Sequence, residues 1–251
     1  MQRKNTFLAA AALAAAGSLI LAGCSAGAGS TADAGAEKST KAVLALTGAP
    51  TNLDFTTTAG AAIPQAMMSN VYEGLVELND AGEIEPLLAS EWTVSDDRKT
   101  YTFTLQDGVT FSNGDAFTAD DVKFSFDRVK SDWVSSLKAK MDVVDNVEVL
   151  SDTEVAVHLS APSNAWLFSL ATPVGAIFTP DGVADLANAP VGTGPYTVEK
   201  WTPNESIVLD TRDDYWGEGP GVEQVTLRYF ADATATTNAL RTGDVDAIIN
   251  L

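Results

Sequence analysis

The chain has 251 residues, of which 45% are hydrophobic, and its 34 acidic residues against 15 Lys and Arg give a net charge of −19. Such an acidic surface repels polyanions, so neither nucleic acid nor anionic lipid headgroups are expected as partners. The only cysteine is Cys24 and the only histidine is His158, which excludes a disulfide framework and a zinc site built from Cys and His. We expect no metal.

Residues 1–23 have the pattern of a bacterial lipoprotein signal peptide. Arg3 and Lys4 precede an apolar run over residues 7–22, and this run is shorter than the roughly 20 residues that a membrane-spanning helix needs. The sequence Leu-Ala-Gly-Cys ends at Cys24, whose thiol would carry a diacylglyceryl group before cleavage makes it the N-terminus. Several acyl chains anchor a protein stably. We therefore expect a lipid-anchored protein at the outer face of the cytoplasmic membrane, on the cell surface or in the periplasm.

The chain then changes from a linker to a folded region. Residues 24–41 are small and polar and show no hydrophobic period, which predicts a flexible tether. Alternation predicts a strand over residues 43–46. The spacing of apolar residues predicts a helix over residues 63–78, with Pro64 acceptable in its opening turn.

A strand, two turns and a helix are predicted within residues 100–129. Aromatic and leucine side chains alternate with threonine over residues 100–105, the period of a half-buried strand. The Asp-Gly and Asn-Gly dipeptides that follow mark two turns. Thr118 lies three residues before Asp121, so a capping-box-like start predicts a helix from about Ala119.

The second half contains further strands and one more helix. The predicted elements are a hairpin with strands at 147–149 and 155–159, a strand pair at 196–201 and 207–209, a strand at 225–229, a helix at 232–243 and a strand at 245–249. This mixture predicts an α/β fold with much antiparallel pairing.

Residues 90–129 resemble, nearly residue for residue, the signature block of the family 5 bacterial extracellular solute-binding proteins. Five other segments resemble motifs of the same family in the same order: 70–75 (NVYEGL), 85–89 (EPLLA), 191–196 (VGTGPY), 214–217 (DYWG) and 239–246 (ALRTGDVD). The resemblance covers nearly all of residues 43–251.

The resemblance implies an α/β fold of the periplasmic-binding-protein type, type II, in the family 5 cluster. Residues 42–72 and 189–251 would form a discontinuous cleft domain, with residues 73–188 as an inserted α+β domain. Family members are about twice as long as this chain, so a second lobe is expected beyond residue 251 and this sequence resembles an N-terminal half. Ligand capture in the family closes two lobes by hinge motion.

The function implied is that of the substrate-binding lipoprotein of an ABC importer. It would act as a monomer that captures an oligopeptide or dipeptide and delivers it to the permease subunits. Nickel chelates and sugars also remain open as cargo. The alternative is a surface lipoprotein that senses peptides without a role in transport.

The residues expected to bind the ligand by this resemblance are Gly60, Ala61, Ala62, Ile63 and Trp133. The first four follow Leu53-Asp54 in a segment whose backbone faces the ligand in relatives, and Trp133 matches a cleft aromatic. The alternatives are an ordinary loop for residues 60–63 and a packing role for Trp133. The glycines of residues 192–194 are interpreted as parts of a tight turn.

An enzyme is not indicated by the sequence. The chain has no Walker loop and no Gly-x-Gly-x-x-Gly motif. Its Gly-x-Ser-x-Gly match, at residues 23–27, spans Cys24 at the predicted cleavage site and does not follow a predicted strand, as a nucleophile elbow would. The acid pairs at 120–121 and 213–214 are adjacent in sequence, so their side chains are expected to diverge. We therefore expect a binding protein without a cofactor.

Overall fold

The structure, a computed structural model, describes residues 40–249. Cys24, the predicted signal peptide and nearly all of the predicted tether lie outside the described residues. The strands are β1 (Lys41–Leu46), β2 (Val76–Leu78), β3 (Ile84–Pro86), β4 (Ala89–Val94), β5 (Thr100–Leu105), β6 (Val144–Ser151), β7 (Glu154–Leu159), β8 (Tyr196–Thr202), β9 (Ser206–Thr211), β10 (Gln224–Tyr229) and β11 (Ala247–Ile248). The α-helices are α1 (Ala62–Met67), α2 (Ala119–Asp132), α3 (Ser135–Lys138), α4 (Asn164–Leu170) and α5 (Ala233–Thr242). Single 3-10 turns lie at Phe55–Thr57, Ala139–Met141, Pro173–Gly175 and Pro180–Val183.

A five-stranded sheet has the order β11-β1-β10-β9-β8. β1 runs parallel to both of its neighbours, β10 and β11, whereas β9 is antiparallel to β10 and β8 is antiparallel to β9. Parallel strands need a crossover, and α5 supplies it between β10 and β11. This helix begins at the N-cap Asp232 and ends at Gly243, whose left-handed φ of 79° lets its N–H reach the last helical carbonyls.

A second, antiparallel sheet has the order β4-β5-β7-β6. The predicted alternation of β5 is confirmed, because Tyr101, Phe103 and Leu105 are buried and the threonines between them are partly exposed. α2 packs against β6 and β7. The start of α2 is also confirmed: the Asp121 carboxylate accepts a hydrogen bond of 2.9 Å from the backbone N–H of Thr118, as in a capping box.

The two sheets draw their strands from different parts of the sequence. The five-stranded sheet uses residues 41–46 and 196–248, and the antiparallel sheet uses residues 89–159. This distribution corresponds to the predicted division into a discontinuous domain and an inserted domain. One hydrophobic cluster nevertheless extends through both parts, so the division into domains stays a prediction.

The predicted helix over residues 63–78 is wrong beyond its first turns. α1 ends at Met67, Met68 is extended, and Ser69 has a φ of 61°, a left-handed conformation that stops a helix. The Asn70 side-chain amide donates to the carbonyl of Ala66, which satisfies one of the free carbonyls at the helix end.

Smaller boundary corrections concern the chain ends. β1 already includes Lys41, the last residue assigned to the tether, and β11 is shorter than predicted. Within residues 40–249, no helix combines the length and apolar character that crossing a membrane would require.

Candidate functional site

The parallel strands define one edge of the five-stranded sheet. Leu46, the last residue of β1, lies opposite Tyr229, the last residue of β10, and Ala45 lies opposite Ile248 of β11. The carboxyl ends of three parallel strands therefore meet at one edge. In open α/β sheets this edge is where ligands bind.

The segment that leaves β1 at this edge has a firmly held base. The Asp54 carboxylate accepts hydrogen bonds from the backbone N–H of Thr56 at 2.8 Å and from its hydroxyl at 2.7 Å. The backbone N–H of Leu53 donates to the carbonyl of Ala187 at 3.0 Å. Phe55 is 1% exposed and belongs to the core.

The tip of this segment is exposed and carries small side chains. Gly60 and Ala61 are exposed and Ala62 is partly exposed, so the structure brings these predicted site residues together at the surface. Ile63 is only 4% exposed and packs in the core. It lies in α1 and is not part of the accessible tip.

Trp133 lies away from the surface. It is 2% exposed, and its ring packs edge-on against Phe55 at 5.7 Å and Phe178 at 6.1 Å between centroids. A direct ligand contact by Trp133 stays a prediction, and its burial favours the alternative packing role. The Trp133 side chain lies in the hydrophobic core.

A buried carboxylate that sequence reasoning missed joins three of the family motifs. Glu73 is 3% exposed. Its Oε2 accepts hydrogen bonds from Thr193 Oγ1 at 2.9 Å and Trp216 Nε1 at 3.0 Å, and its Oε1 accepts one from Tyr215 Oη at 2.7 Å. Burial, with the Glu73 charge beside it, raises the pKa of the Tyr215 hydroxyl above its ordinary value. The one acid in the segment 70–75 was a signal in the sequence for a buried carboxylate. The sequence could not identify the side chains that donate hydrogen bonds to it.

A second network surrounds Arg212, which is also buried. Its guanidinium donates to the carbonyl oxygens of Thr110, Gly192 and Gly194 and pairs with Asp214, with Nε 3.1 Å from Oδ1. The hydrogen bond from Arg212 lowers the pKa of Asp214. The Asp-Tyr-Trp motif thus supplies hydrogen-bonding side chains to both networks. Asp214, one member of the acid pair at 213–214, is bonded to Arg212.

The tight turn predicted at residues 192–194 is better described as a close crossing of two backbones. A Cβ on Gly192 would lie 1.9 Å from the carbonyl oxygen of Val71, and one on Gly194 would lie 2.5 Å from that of Asn70. Glycine is required because a backbone, not a ligand, occupies the space. These residues hold the 191–196 motif against the 70–75 motif.

Two titratable groups outside these networks, His158 and Asp121, have structural partners. His158 of β7 lies near the hydroxyl of Thr100 and the carboxylate of Glu148, each at 3.2 Å, on a partly exposed strand face. Asp121 is used as a helix cap, and burial raises its pKa. In the part of the chain that the structure describes, no group of three or more His, Cys, Asp or Glu side chains is arranged to hold a metal ion.

Solved structures of periplasmic binding proteins superpose on this chain. The chain superposes on DppA of Helicobacter pylori in complex with the peptide STSA with a TM-score of 0.75 and 27% identity, covering 82% of this chain and 45% of that one. It superposes on AgaA of A. tumefaciens R10 in complex with agropinic acid with a TM-score of 0.76 and 30% identity, covering 82% and 43%. The fold therefore defines the class as a periplasmic-type binding protein.

The family follows from the sequence comparisons. The model of the bacterial extracellular solute-binding proteins, family 5 Middle, matches residues 83–251, and the chain belongs to this family. It is 35% identical over 191 residues to the nickel-binding periplasmic protein of Escherichia coli K12, and 33% identical over 190 residues to the glutathione-binding protein GsiB of Salmonella paratyphi A. Each match covers 72% of this chain but only 36% and 37% of the relative.

Proposed function

We propose that this chain is part of the substrate-binding lipoprotein of an ABC importer that captures a small solute, with a short peptide as the preferred cargo. The observation that carries the proposal is the accessible stretch Gly60-Ala61-Ala62, which follows the hydrogen-bonded turn at Asp54 in the segment that leads from β1 into α1. Methyl and hydrogen side chains leave the loop backbone accessible. Backbone groups of this kind bind the main chain of a peptide and tolerate varied side chains.

The relatives support a small polar solute as cargo. The matched proteins are named for nickel and glutathione, and the superposed structures hold a peptide and agropinic acid. Family membership supports the importer role, in which a monomer would close a second lobe over the bound solute and present it to the permease subunits. The edge described here would form one wall of that cleft.

Anchoring through Cys24 belongs to the same proposal. Lipidation of this cysteine would hold the protein at the outer face of the cytoplasmic membrane, beside the permease. Replacement of Cys24 by serine is expected to move the protein from the membrane fraction to the soluble fraction and to abolish its labelling by an alkyne-tagged fatty acid. Retention of Cys24→Ser in the membrane fraction would contradict the anchor.

Peptide binding is tested with the protein purified from the host in the form in which the host produces it. We expect calorimetric titration with di-, tri- and tetrapeptides to show binding, and Ala61→Trp to weaken it by about tenfold, which corresponds to about 1.4 kcal/mol. Ala81→Trp places the same ring on the exposed turn between β2 and β3 and should leave the affinity unchanged. Equal affinities for the two variants would exclude the loop as a ligand site, and failure of every peptide to bind would exclude peptide as the cargo.

The importer role is tested in cells. Deletion of the gene is expected to lower the uptake of a labelled peptide that the purified protein binds, and re-expression should restore it. Unchanged uptake, together with retained peptide binding in vitro, would favour the alternative of a surface sensor.

A further inference from the structure

The proposed ligand loop has little hydrogen bonding of its own at its tip. The backbone N–H of Gly60 donates to the Thr58 hydroxyl at 3.2 Å, and the Thr57 hydroxyl donates to the carbonyl of Asp54 at the same distance. Both bonds lie on exposed residues, where water competes for the same groups. On its C-terminal side the tip continues into α1, where the carbonyl of Ala61 accepts a hydrogen bond of 3.0 Å from the backbone N–H of Gln65. The orientation of the tip therefore depends on α1 and on the segment that precedes the tip.

That segment is joined to the end of α2. The backbone N–H of Val134, the second residue after the helix, donates to the carbonyl of Thr56 at 3.1 Å. One residue earlier, the Trp133 ring packs edge-on against Phe55 with an interplanar angle of 80°. A hydrogen bond and a ring contact thus link two consecutive residues of each segment.

Phe55 is enclosed on its other sides by Tyr72 and Phe178, at centroid distances of 5.4 and 6.0 Å. Trp133 also touches Phe178, so the four rings form one closed cluster. Edge-to-face aromatic pairs are directional. Trp133 is one of the three rings that fix the position of Phe55, and it lies at the end of a helix whose inner residues Val122 and Phe126 are fully buried.

We infer that Trp133 is a positioning residue for the proposed ligand site: it acts through Phe55 and Thr56 to fix the orientation of the 58–62 loop. The inference rests on the proposed function for its binding consequence only. Trp133 does not touch the ligand; instead the α2 end, which lies in the predicted inserted domain, preorganises the loop. Preorganisation of a binding loop raises affinity because less conformational freedom is lost when the ligand binds.

The chain offers a matched control in Trp166. This residue is 1% exposed, and its ring contacts are with Tyr101 and Phe103 on β5. The indole N–H of Trp166, like that of Trp133, is buried without a hydrogen-bond partner. Substitution of either tryptophan by leucine therefore removes a buried ring of the same kind, but only Trp133 adjoins the loop base.

Hydrogen–deuterium exchange of the purified full-length gene product tests the inference without any ligand. Trp133→Leu is expected to speed amide exchange across residues 55–62 about tenfold, since local opening free energies govern exchange. Trp166→Leu should leave these amides at the wild-type rate while it lowers the melting temperature. Phe55→Leu removes the same ring contact from the other side and replaces Trp133→Leu if that variant does not fold. Trp133→Phe, which keeps a ring, should show nearly wild-type exchange.

The outcomes separate this inference from the proposed function. Unchanged loop exchange in Trp133→Leu and Phe55→Leu, or equal acceleration in Trp166→Leu, would overturn the positioning role. If the wild type binds a peptide, Trp133→Leu should weaken its affinity about tenfold and Trp166→Leu should not, because only the former frees the loop. If the wild type binds no peptide, the proposed function fails while the exchange data still decide whether Trp133 holds the loop.

Discussion

Replacement of Glu73 by alanine should be one of the most damaging single changes in the chain. The substitution leaves three buried or partly buried donors, on Thr193, Tyr215 and Trp216, without their acceptor. Hydrogen bonds to charged groups are worth about 1.5–3 kcal/mol each, but such losses are not additive. We expect an overall loss of about 4 kcal/mol, within the range for breaking a buried charged network.

Glu73→Gln distinguishes hydrogen bonding from charge. The amide oxygen can take the place of Oε2 and accept from Thr193 and Trp216, while the amide nitrogen faces Tyr215, whose hydroxyl oxygen can accept in turn. The network is retained, so the expected loss is only about 1 kcal/mol. Glu218→Ala removes an exposed carboxylate two residues after Trp216 and should change stability by less than about 0.5 kcal/mol.

Thermal unfolding followed by circular dichroism measures all three variants. A loss of 4 kcal/mol in a chain of this size lowers the melting temperature by about 10 °C, and a loss of 1 kcal/mol lowers it by about 3 °C. The reasoning is refuted if Glu73→Ala melts within about 3 °C of the wild type, since the three donors would then have found other partners. It is also refuted if Glu73→Gln is as damaging as Glu73→Ala.

Two further predictions concern the same neighbourhood. Gly192→Ala should cost more than about 3 kcal/mol, because overpacking against the Val71 carbonyl forces the two backbones apart; Gly219→Ala, with open space around it, is the control, and equal urea midpoints would disprove the crossing. Burial, and to a lesser extent the Glu73 charge, raises the pKa of the Glu77 carboxyl above its ordinary value. The ionised form of Glu77 therefore destabilises the fold as pH rises through the folded-state pKa. Glu77→Gln should therefore raise the melting temperature at pH 7 and lose this advantage below pH 4.5; an equal gain at both pH values would exclude titration as the cause.

Local structure was the part of the fold that the sequence predicted well. The period of β5, the capped start of α2 and the Gly243 cap of α5 are confirmed. Each of these features depends only on residues that lie a few positions apart in the sequence. The helix predicted over residues 63–78 was wrong for the opposite reason. Its apolar residues have a helical spacing, but the left-handed φ of Ser69 ends the helix and the buried Glu73 bonds to a distant segment.

The candidate site was predictable only in part. The small exposed residues of the 60–62 loop could be placed by resemblance, but the burial of Ile63 and Trp133 depends on tertiary packing. Likewise, the glycines at 192 and 194 suggested a turn. They are required because the backbone of a segment more than 100 residues away in sequence leaves no space for a side chain. Spacing along the chain carries no information about such partners.

The donors that satisfy Glu73 lie 120, 142 and 143 residues further along the chain. At a synthesis rate of about 5–20 residues per second, the ribosome makes Glu73 roughly 7–30 s before it makes Trp216. During that interval the carboxylate lacks part or all of its set of donors, because Thr193 is made first and the Tyr215–Trp216 pair last, and a carboxylate without donors is better hydrated than buried. Burial of Glu73 with all of its donors can therefore be completed only after the Tyr-Trp pair has been synthesised.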